Sequence, residues 1–251
     1  RQLFYRSLVF SVRSGRPYWF GKLVTALETT SSLWPRRRDL CLVCNRARAT
    51  CFCKYTKPFA TRSQFVILMH PKEYKRQRTG TGRVTKLSLI NSRLFAGEDF
   101  THHAELNGLL ADETLFPMLL FPGEHALNLS TGLPHDMGGR TPLVIIIDAT
   151  WASARKMVRL SKNLASLRRV TFDSERPSGF VIKRQPNRAA LSTIEATFHI
   201  LDILNERALE SLSGRHHALL ETLDAIVDFQ LRCAADPNLP SHRLGKMLVG
   251  S

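Results

Sequence analysis

Cys41, Cys44, Cys51 and Cys53 place four thiols within 13 residues of a 251-residue chain. Tetrahedral thiolate coordination of zinc needs four soft ligands and little chain, and the Cys-x2-Cys and Cys-x-Cys pairs supply both. Two disulfides are the alternative. No secretory signal is evident, and a chain this long does not need staples to hold a core. Zinc is therefore the favoured reading, and a redox thiol pair is disfavoured because four clustered cysteines exceed its needs. Cys233 stands apart in an apolar helical stretch and is expected in the core. The second chemically marked stretch is Asp148-Ala149-Thr150-Trp151, which follows Leu143-Val144-Ile145-Ile146-Ile147. An acid that ends an apolar run, with a Thr and a Trp in the same turn, suits a ligand site. The plainer alternative is that Asp148 or Thr150 caps a helix and Trp151 is core.

The elements around these residues set where they can act. An apolar run with no alternation reads as a strand buried on both faces, hence a central parallel one. Met157, Leu160, Leu164 and Leu167 follow at helical spacing, so a helix is expected over 152–167. The Asp148 turn then lies at the carboxyl end of a strand, where open α/β sheets bind ligands. Further strands are expected over 64–70, 114–121 and 169–172, and helices over 84–90, 191–212 and 217–233. Alternating strands and helices give an α/β fold with a mainly parallel sheet and helices on both faces. Polar, glycine-bearing segments mark the strand ends at 70–83, 122–124 and 191–195. Thr79 to Arg83 is neither a Walker loop nor a G-x-G-x-x-G, and a plain flexible loop is its ordinary reading.

Charge narrows the partner. The net charge is +15, and residues 1–100 hold 20 basic against 5 acidic residues, so the whole excess lies there. One-sided charge attracts polyphosphate and predicts binding that weakens steeply with salt. RNA or DNA is the leading partner, and Lys72, Lys75, Arg76, Arg78, Arg155 and Lys156 are the candidate phosphate contacts. A solvated face is the bland alternative for the last two. No apolar run approaches the ~20 residues of a membrane span. Residues 1–37 form a basic arm that resembles a transit segment or a disordered extension, and 236–251 a tail. Between them, 38–60 is expected to be a small Cys-rich module, too short for its own core without metal. Residues 61–235 are expected to form the main domain. His70, at a strand end, is the best placed histidine, and the His102-His103 and His216-His217 pairs are expected at the surface.

Taken together these residues resemble the DTW-domain family, whose Asp-x-Thr-Trp motif is here Asp148-Ala149-Thr150-Trp151. The other landmarks are the two cysteine pairs, His70-Pro71-x-Glu73, Thr79-Gly80-Thr81-Gly82-Arg83, Phe121-Pro122-Gly123-Glu124, Lys156-Met157 and Leu191-Ser192-Thr193-Ile194-Glu195-Ala196. The resemblance runs from about Arg38 to about Cys233. It departs from the family pattern at Thr81-Gly82, where Asn-Thr is expected.

The resemblance implies a cytoplasmic tRNA-uridine aminocarboxypropyltransferase. Such an enzyme moves the 3-amino-3-carboxypropyl group of S-adenosylmethionine to N3 of a uridine and leaves methylthioadenosine. It also implies kinship with the SPOUT class, with a C-terminal knot that topology rules alone would not propose. The implied catalytic residues are Asp148, as base or as the group orienting the uridine, with Thr150 and Trp151. Trp151 would stack on a base or on the cofactor. Gly80 and Arg83 would hold the donor carboxylate. Phe121, Pro122, Gly123 and Glu124, with Leu191, Ser192, Thr193, Ile194 and Glu195, would line the adenosine pocket. Zn2+ would be structural, tRNA the partner, and either a monomer or a homodimer is compatible. Two other functions fit the residues: a SPOUT-type RNA methyltransferase, and a zinc-ribbon RNA-binding protein without catalysis.

Overall fold

In the computed structural model the described residues are 40–44, 46–76, 80–174, 177–182 and 191–235. The expected basic arm (1–37), Arg78 and the tail (236–251) lie outside them. A six-stranded sheet forms from β1 (Gln64–Met69), β2 (Ser92–Ala96), β3 (Leu115–Leu120), β4 (Leu127–Asn128), β5 (Thr141–Asp148) and β6 (Arg168–Thr171). Its order is β2-β1-β5-β3-β6-β4, and every pairing is parallel. The helices are α1 (Pro71–Arg76), α2 (Thr81–Ser88), α3 (Ala104–Leu110), α4 (Trp151–Leu160), α5 (Lys162–Ala165), α6 (Thr193–Glu206) and α7 (Ala218–Ala235).

β5 explains the architecture. Side chains alternate between faces along a strand, and here both sets are apolar. Val144 and Ile146 join Phe65, Phe116 and Met118 in a core shared with Val84 of α2, Ile194, Phe198 and Leu201 of α6, and Leu223 and Ile226 of α7. Leu143 and Ile145 join Val66, Leu68, Leu115 and Leu119 in a second core, shared with Leu106 of α3, Ala154, Met157 and Val158 of α4, and Leu164 of α5. Helices therefore cover both faces, as the apolar run of β5 requires. β1 and β5 end together, with Met69 paired to Asp148, so residues 70 and 148–151 emerge side by side.

Several expected boundaries move. The single helix over 152–167 is two helices, because Ser161 takes an extended conformation (φ −84°, ψ 96°). Its buried hydroxyl oxygen accepts a hydrogen bond from the Phe100 amide at 2.9 Å, a contact a continuous helix could not offer. The expected 191–212 helix stops at Glu206. Ala208 turns left-handed (φ 57°), and the Leu209 and Glu210 amides fold back onto the Leu204 carbonyl. The 84–90 helix starts earlier, at Thr81, so the Gly80–Arg83 segment is a helix N-terminus rather than a plain loop. β2, α1, α3 and the short β4 had no strong periodic signal. Cys233 is half-buried rather than core. His216 is buried rather than at the surface, with its Nε2 3.2 Å from Asp202.

Candidate active site

The C-terminal ends of β1, β3 and β5 and the N-termini of α2, α4 and α6 form the site. Asp148 closes β5, and its carbonyl accepts the His70 amide at 3.1 Å. Its side chain reaches sideways: Oδ1 accepts a hydrogen bond from the Thr193 hydroxyl at 3.0 Å. On its other side it lies against Gly82. A Cβ at Gly82 would overlap the carboxylate, and would lie 2.9 Å from Asp148 Cγ and from Met69 Cε. The absent side chain at 82 is thus the space the carboxylate occupies. One acid holds three elements together: strand β5, the first turn of α2 and the first turn of α6.

Thr150, not Asp148, caps α4. Its Oγ1 accepts from the Ser153 amide at 3.4 Å, so the capping alternative holds for Thr150 and fails for Asp148. Trp151 is not core: it is 41% exposed, with its ring 6.1 Å from Phe121. Phe121 is buried at the end of β3, with the Arg169 guanidinium 5.7 Å from its ring. Pro122, Gly123 and Glu124 continue from it as an exposed loop. A Cβ at Gly123 would meet Arg169 Nη1 at 3.0 Å, which keeps that loop close to the β6 side chain.

The 191–195 segment divides by role. Ile194 is core, and Leu191 is half-buried. Ser192 and Glu195 form a capping box at the start of α6. The buried Glu195 carboxylate accepts from the Ser192 amide (2.7 Å), the Ser192 hydroxyl (2.6 Å), the Ser178 hydroxyl (2.9 Å) and the Gly179 amide (2.7 Å). Four protein donors engage it, so it fastens the 177–182 stretch to α6 rather than offering itself to a ligand hydroxyl or amine. Arg83 is similarly engaged: Nη2 donates to the Tyr74 carbonyl at 2.6 Å, and its guanidinium lies 4.0 Å from the Tyr74 ring. It clamps α2 to α1.

A neighbouring cluster was missed from sequence. The buried His70 accepts the Lys72 amide on Nδ1 at 3.2 Å, which leaves its Nε2 facing Glu98 Oε1 at 3.3 Å. The second Glu98 oxygen takes Lys156 Nζ at 2.6 Å. The Lys156 ammonium, with help from His70 and Lys72, holds the Glu98 carboxyl below its ordinary range. No motif marks Glu98, since it follows a strand with weak alternation. Lys156, expected at tRNA phosphate, therefore spends its charge on Glu98. Lys72 and Lys75 on α1, and Arg155 on α4, are exposed as a phosphate contact requires. Arg76 lies in α1.

The cysteine cluster converges. Cys41 and Cys53 sulfurs are 3.8 Å apart and those of Cys44 and Cys51 3.7 Å, and all four lie within 4.8 Å of one another. Four thiolates at ~2.3 Å from zinc would have sulfurs about 3.8 Å apart. These separations are far from a disulfide bond of ~2.05 Å, and all five cysteines are free thiols. The amides of Cys44 and Val43 pull the Cys41 thiol down to about 6, whereas burial raises Cys51 and Cys53. Amides aimed at a sulfur favour thiolate, the form a metal needs.

The model of the DTW domain matches residues 38–231. The chain belongs to the DTW-domain family. A Drosophila melanogaster protein named tRNA-uridine aminocarboxypropyltransferase 2 is 33% identical over 205 residues, covering 78% of this chain and 77% of the relative. The Macaca fascicularis protein of the same name is 27% identical over 214 residues, with 84% and 70% covered. An Arabidopsis thaliana tRNA-uridine aminocarboxypropyltransferase A is 27% identical over 219 residues, with 77% and 81% covered. No solved structure matches. Within this DTW domain the namesake motif is divided in labour: the Asp spans three elements, the Thr caps a helix, and the Trp lies at the rim. Among the described residues no helix is long and apolar enough to cross a membrane.

Proposed function

We propose that this protein is a tRNA-uridine aminocarboxypropyltransferase. It transfers the 3-amino-3-carboxypropyl group of S-adenosylmethionine to N3 of a tRNA uridine. The reading rests on the Asp148 clasp: a carboxylate fixed at the end of a central parallel strand, in a chain whose relatives carry that activity in their names. In the overall reaction an N–C bond forms at N3, a C–S bond of the donor breaks, and methylthioadenosine leaves. The donor supplies an electrophilic carbon on its sulfonium. The loop Phe121–Glu124, the Leu191–Thr193 segment and the amides near Gly80 would hold it.

Uridine N3 is a weak acid and must lose its proton to attack. Asp148 takes that proton. Thr193 and Gly82 fix the carboxylate, so it meets the uridine without searching for its orientation, and a placed base contributes ~10²–10⁴-fold. Trp151, exposed beside Phe121, offers a face on which an extruded base stacks. Lys72, Lys75 and Arg155 meet phosphates. Cys41, Cys44, Cys51 and Cys53 hold a structural zinc in a module over 38–60, appended to the catalytic domain over 61–235. Kinship with the SPOUT class is the fold reading that goes with this family; the all-parallel sheet with helices on both faces supports the α/β part of it, and the knot belongs to the proposal alone.

Incubation with labelled S-adenosylmethionine and tRNA, followed by nucleoside mass spectrometry, tests the reading. Aminocarboxypropyluridine with methylthioadenosine is expected. Adenosylhomocysteine and a methylated base would make it a methyltransferase, and no product a binding protein. Asp148→Asn is expected to lower turnover on the order of 10²-fold while S-adenosylmethionine still binds. Normal turnover would leave Asp148 a scaffold and place the base elsewhere.

A further inference from the structure

Arg169 of β6 carries a positive charge that nothing in the described fold answers. The residue is half-buried. Its guanidinium lies over the Phe121 ring, and among the described residues it makes no hydrogen bond and no ion pair. Glu124, the acid of the adjoining loop, is exposed and forms no ion pair with it. Other cations of the site are spent. Arg168 pairs with Asp136 at 2.7 Å, Lys156 with Glu98 at 2.6 Å, and Arg83 turns to the Tyr74 carbonyl at 2.6 Å. A cation partly withdrawn from water loses hydration and needs an anion in return.

Its position restricts which anion that is. Arg169 pairs with Leu119 on β3, and the Phe121 amide donates to the Val170 carbonyl at 3.1 Å. The end of β6 and the start of the 121–124 loop are therefore one unit. Gly123 admits the guanidinium: a Cβ there would lie 3.0 Å from Arg169 Nη1 and 3.5 Å from Cδ. The Trp151 ring lies 6.1 Å from the same Phe121 ring. The charge thus sits against the loop proposed to hold the donor, beside an aromatic pair. Lys72, Lys75 and Arg155 instead stand exposed, where a tRNA phosphate reaches them directly. S-adenosylmethionine brings a carboxylate into that loop, on the very group that is transferred. A guanidinium fork matches a carboxylate with paired N–H···O bonds.

We propose that Arg169 binds the carboxylate of the 3-amino-3-carboxypropyl group of S-adenosylmethionine. The inference rests on the donor proposed above. The sulfonium has more than one electrophilic carbon, a methyl among them. A grip on the carboxylate turns the propyl carbon toward N3 of the uridine, so Arg169 is a specificity residue for which group moves. The carboxylate leaves with the uridine, and methylthioadenosine leaves without it. The guanidinium therefore holds the donor and has no hold on the nucleoside product.

The test is calorimetric titration of the full chain with S-adenosylmethionine and, separately, with methylthioadenosine. Arg169→Gln should weaken S-adenosylmethionine binding roughly ten- to hundredfold, the loss of a charge-assisted hydrogen-bonded pair. Methylthioadenosine has no carboxylate, so its affinity should match the wild type and serve as the folding control. Arg169→Lys keeps the stem and the charge but not the fork, and should lose less. Unchanged S-adenosylmethionine affinity in Arg169→Gln would overturn the inference. Equal losses for both ligands would overturn it too, since Arg169 would then shape the pocket rather than meet the carboxylate. A fall in tRNA affinity with donor affinity intact would overturn it in favour of a phosphate. The two proposals fail separately. If Arg169→Gln loses S-adenosylmethionine but not methylthioadenosine, yet the wild type yields a methylated base and adenosylhomocysteine, the activity is wrong and the carboxylate site stands. If aminocarboxypropyluridine forms and Arg169→Gln binds the donor like the wild type, the carboxylate site alone is wrong.

Discussion

The cysteine module and the Asp148 site are built in opposite ways. The module takes all four sulfurs from one short stretch, and its geometry follows from local turns at 41–44 and 48–55. The Asp148 site takes Gly82, Asp148 and Thr193 from three helices and strands far apart in sequence, and its geometry exists only once the sheet has formed. A locally closed site can be lost without the main fold. A site closed by tertiary contacts can be spoiled by a single methyl group although every charged residue remains.

The largest expected effect breaks the module. Cys44→Ser removes its buried sulfur. Structural zinc in small modules contributes ~10–16 kcal/mol of apparent binding energy that is also folding energy. Elemental analysis should fall from about one zinc per chain to background. Circular dichroism should keep the α/β signal, because β1, β3 and β5 share no sulfur with the cluster. Retained zinc, or collapse of the whole fold, would show that the two regions are not separable as described.

The next effect targets placement without touching charge. Gly82→Ala puts a Cβ where the Asp148 carboxylate lies, and α2 must shift or the carboxylate must turn. A displacement of about 1 Å at a reacting group costs on the order of 10²-fold. Turnover should fall by that amount while zinc content and tRNA affinity stay at wild-type values. Thr193→Val removes the hydroxyl donor and should act in the same direction but more mildly, since one net hydrogen bond contributes ~1 kcal/mol. Wild-type turnover in Gly82→Ala would mean that Asp148 is not held by this clasp.

The smallest effect concerns the Glu98 cluster beside the clasp. The Glu98 carboxyl is held low by Lys156. A group whose folded value is depressed stabilises the fold above its unfolded value, and that contribution is lost as pH falls through the folded value. Wild-type stability should therefore decline below the ordinary carboxylate range, about pH 4. Glu98→Gln should flatten that part of the profile and shift the midpoint at neutral pH only slightly, because the pair is solvent-screened. A chemical-denaturation series at several pH values reads this directly. Identical profiles for variant and wild type would remove the cluster from any role in holding Lys156.

Much of this could be read in the chain. β5 was visible because a strand buried on both faces needs apolar residues at every position, and Leu143 to Ile147 supply them. The four-cysteine cluster was visible because four potential ligands at short spacing carry their own geometry. Thr150 as a cap was visible as one of two alternatives, since a Thr before a helix has few other uses. What the sequence could not contain was the partner of each side chain. Glu195 looked available until Ser178 and Gly179 came back to it across a loop. Lys156 looked like a phosphate contact until β2 delivered Glu98. Ser161 broke a helix that its neighbours favoured, because Phe100 presented an amide to it. Gly82 was marked only as part of a glycine-bearing landmark: a glycine that gives up its side chain to make room for a distant acid is indistinguishable, in one dimension, from a flexible one. Ligand type, charge and period are local properties and survive in the sequence. Exclusion of volume between distant segments is not local, and only the folded sheet decides it.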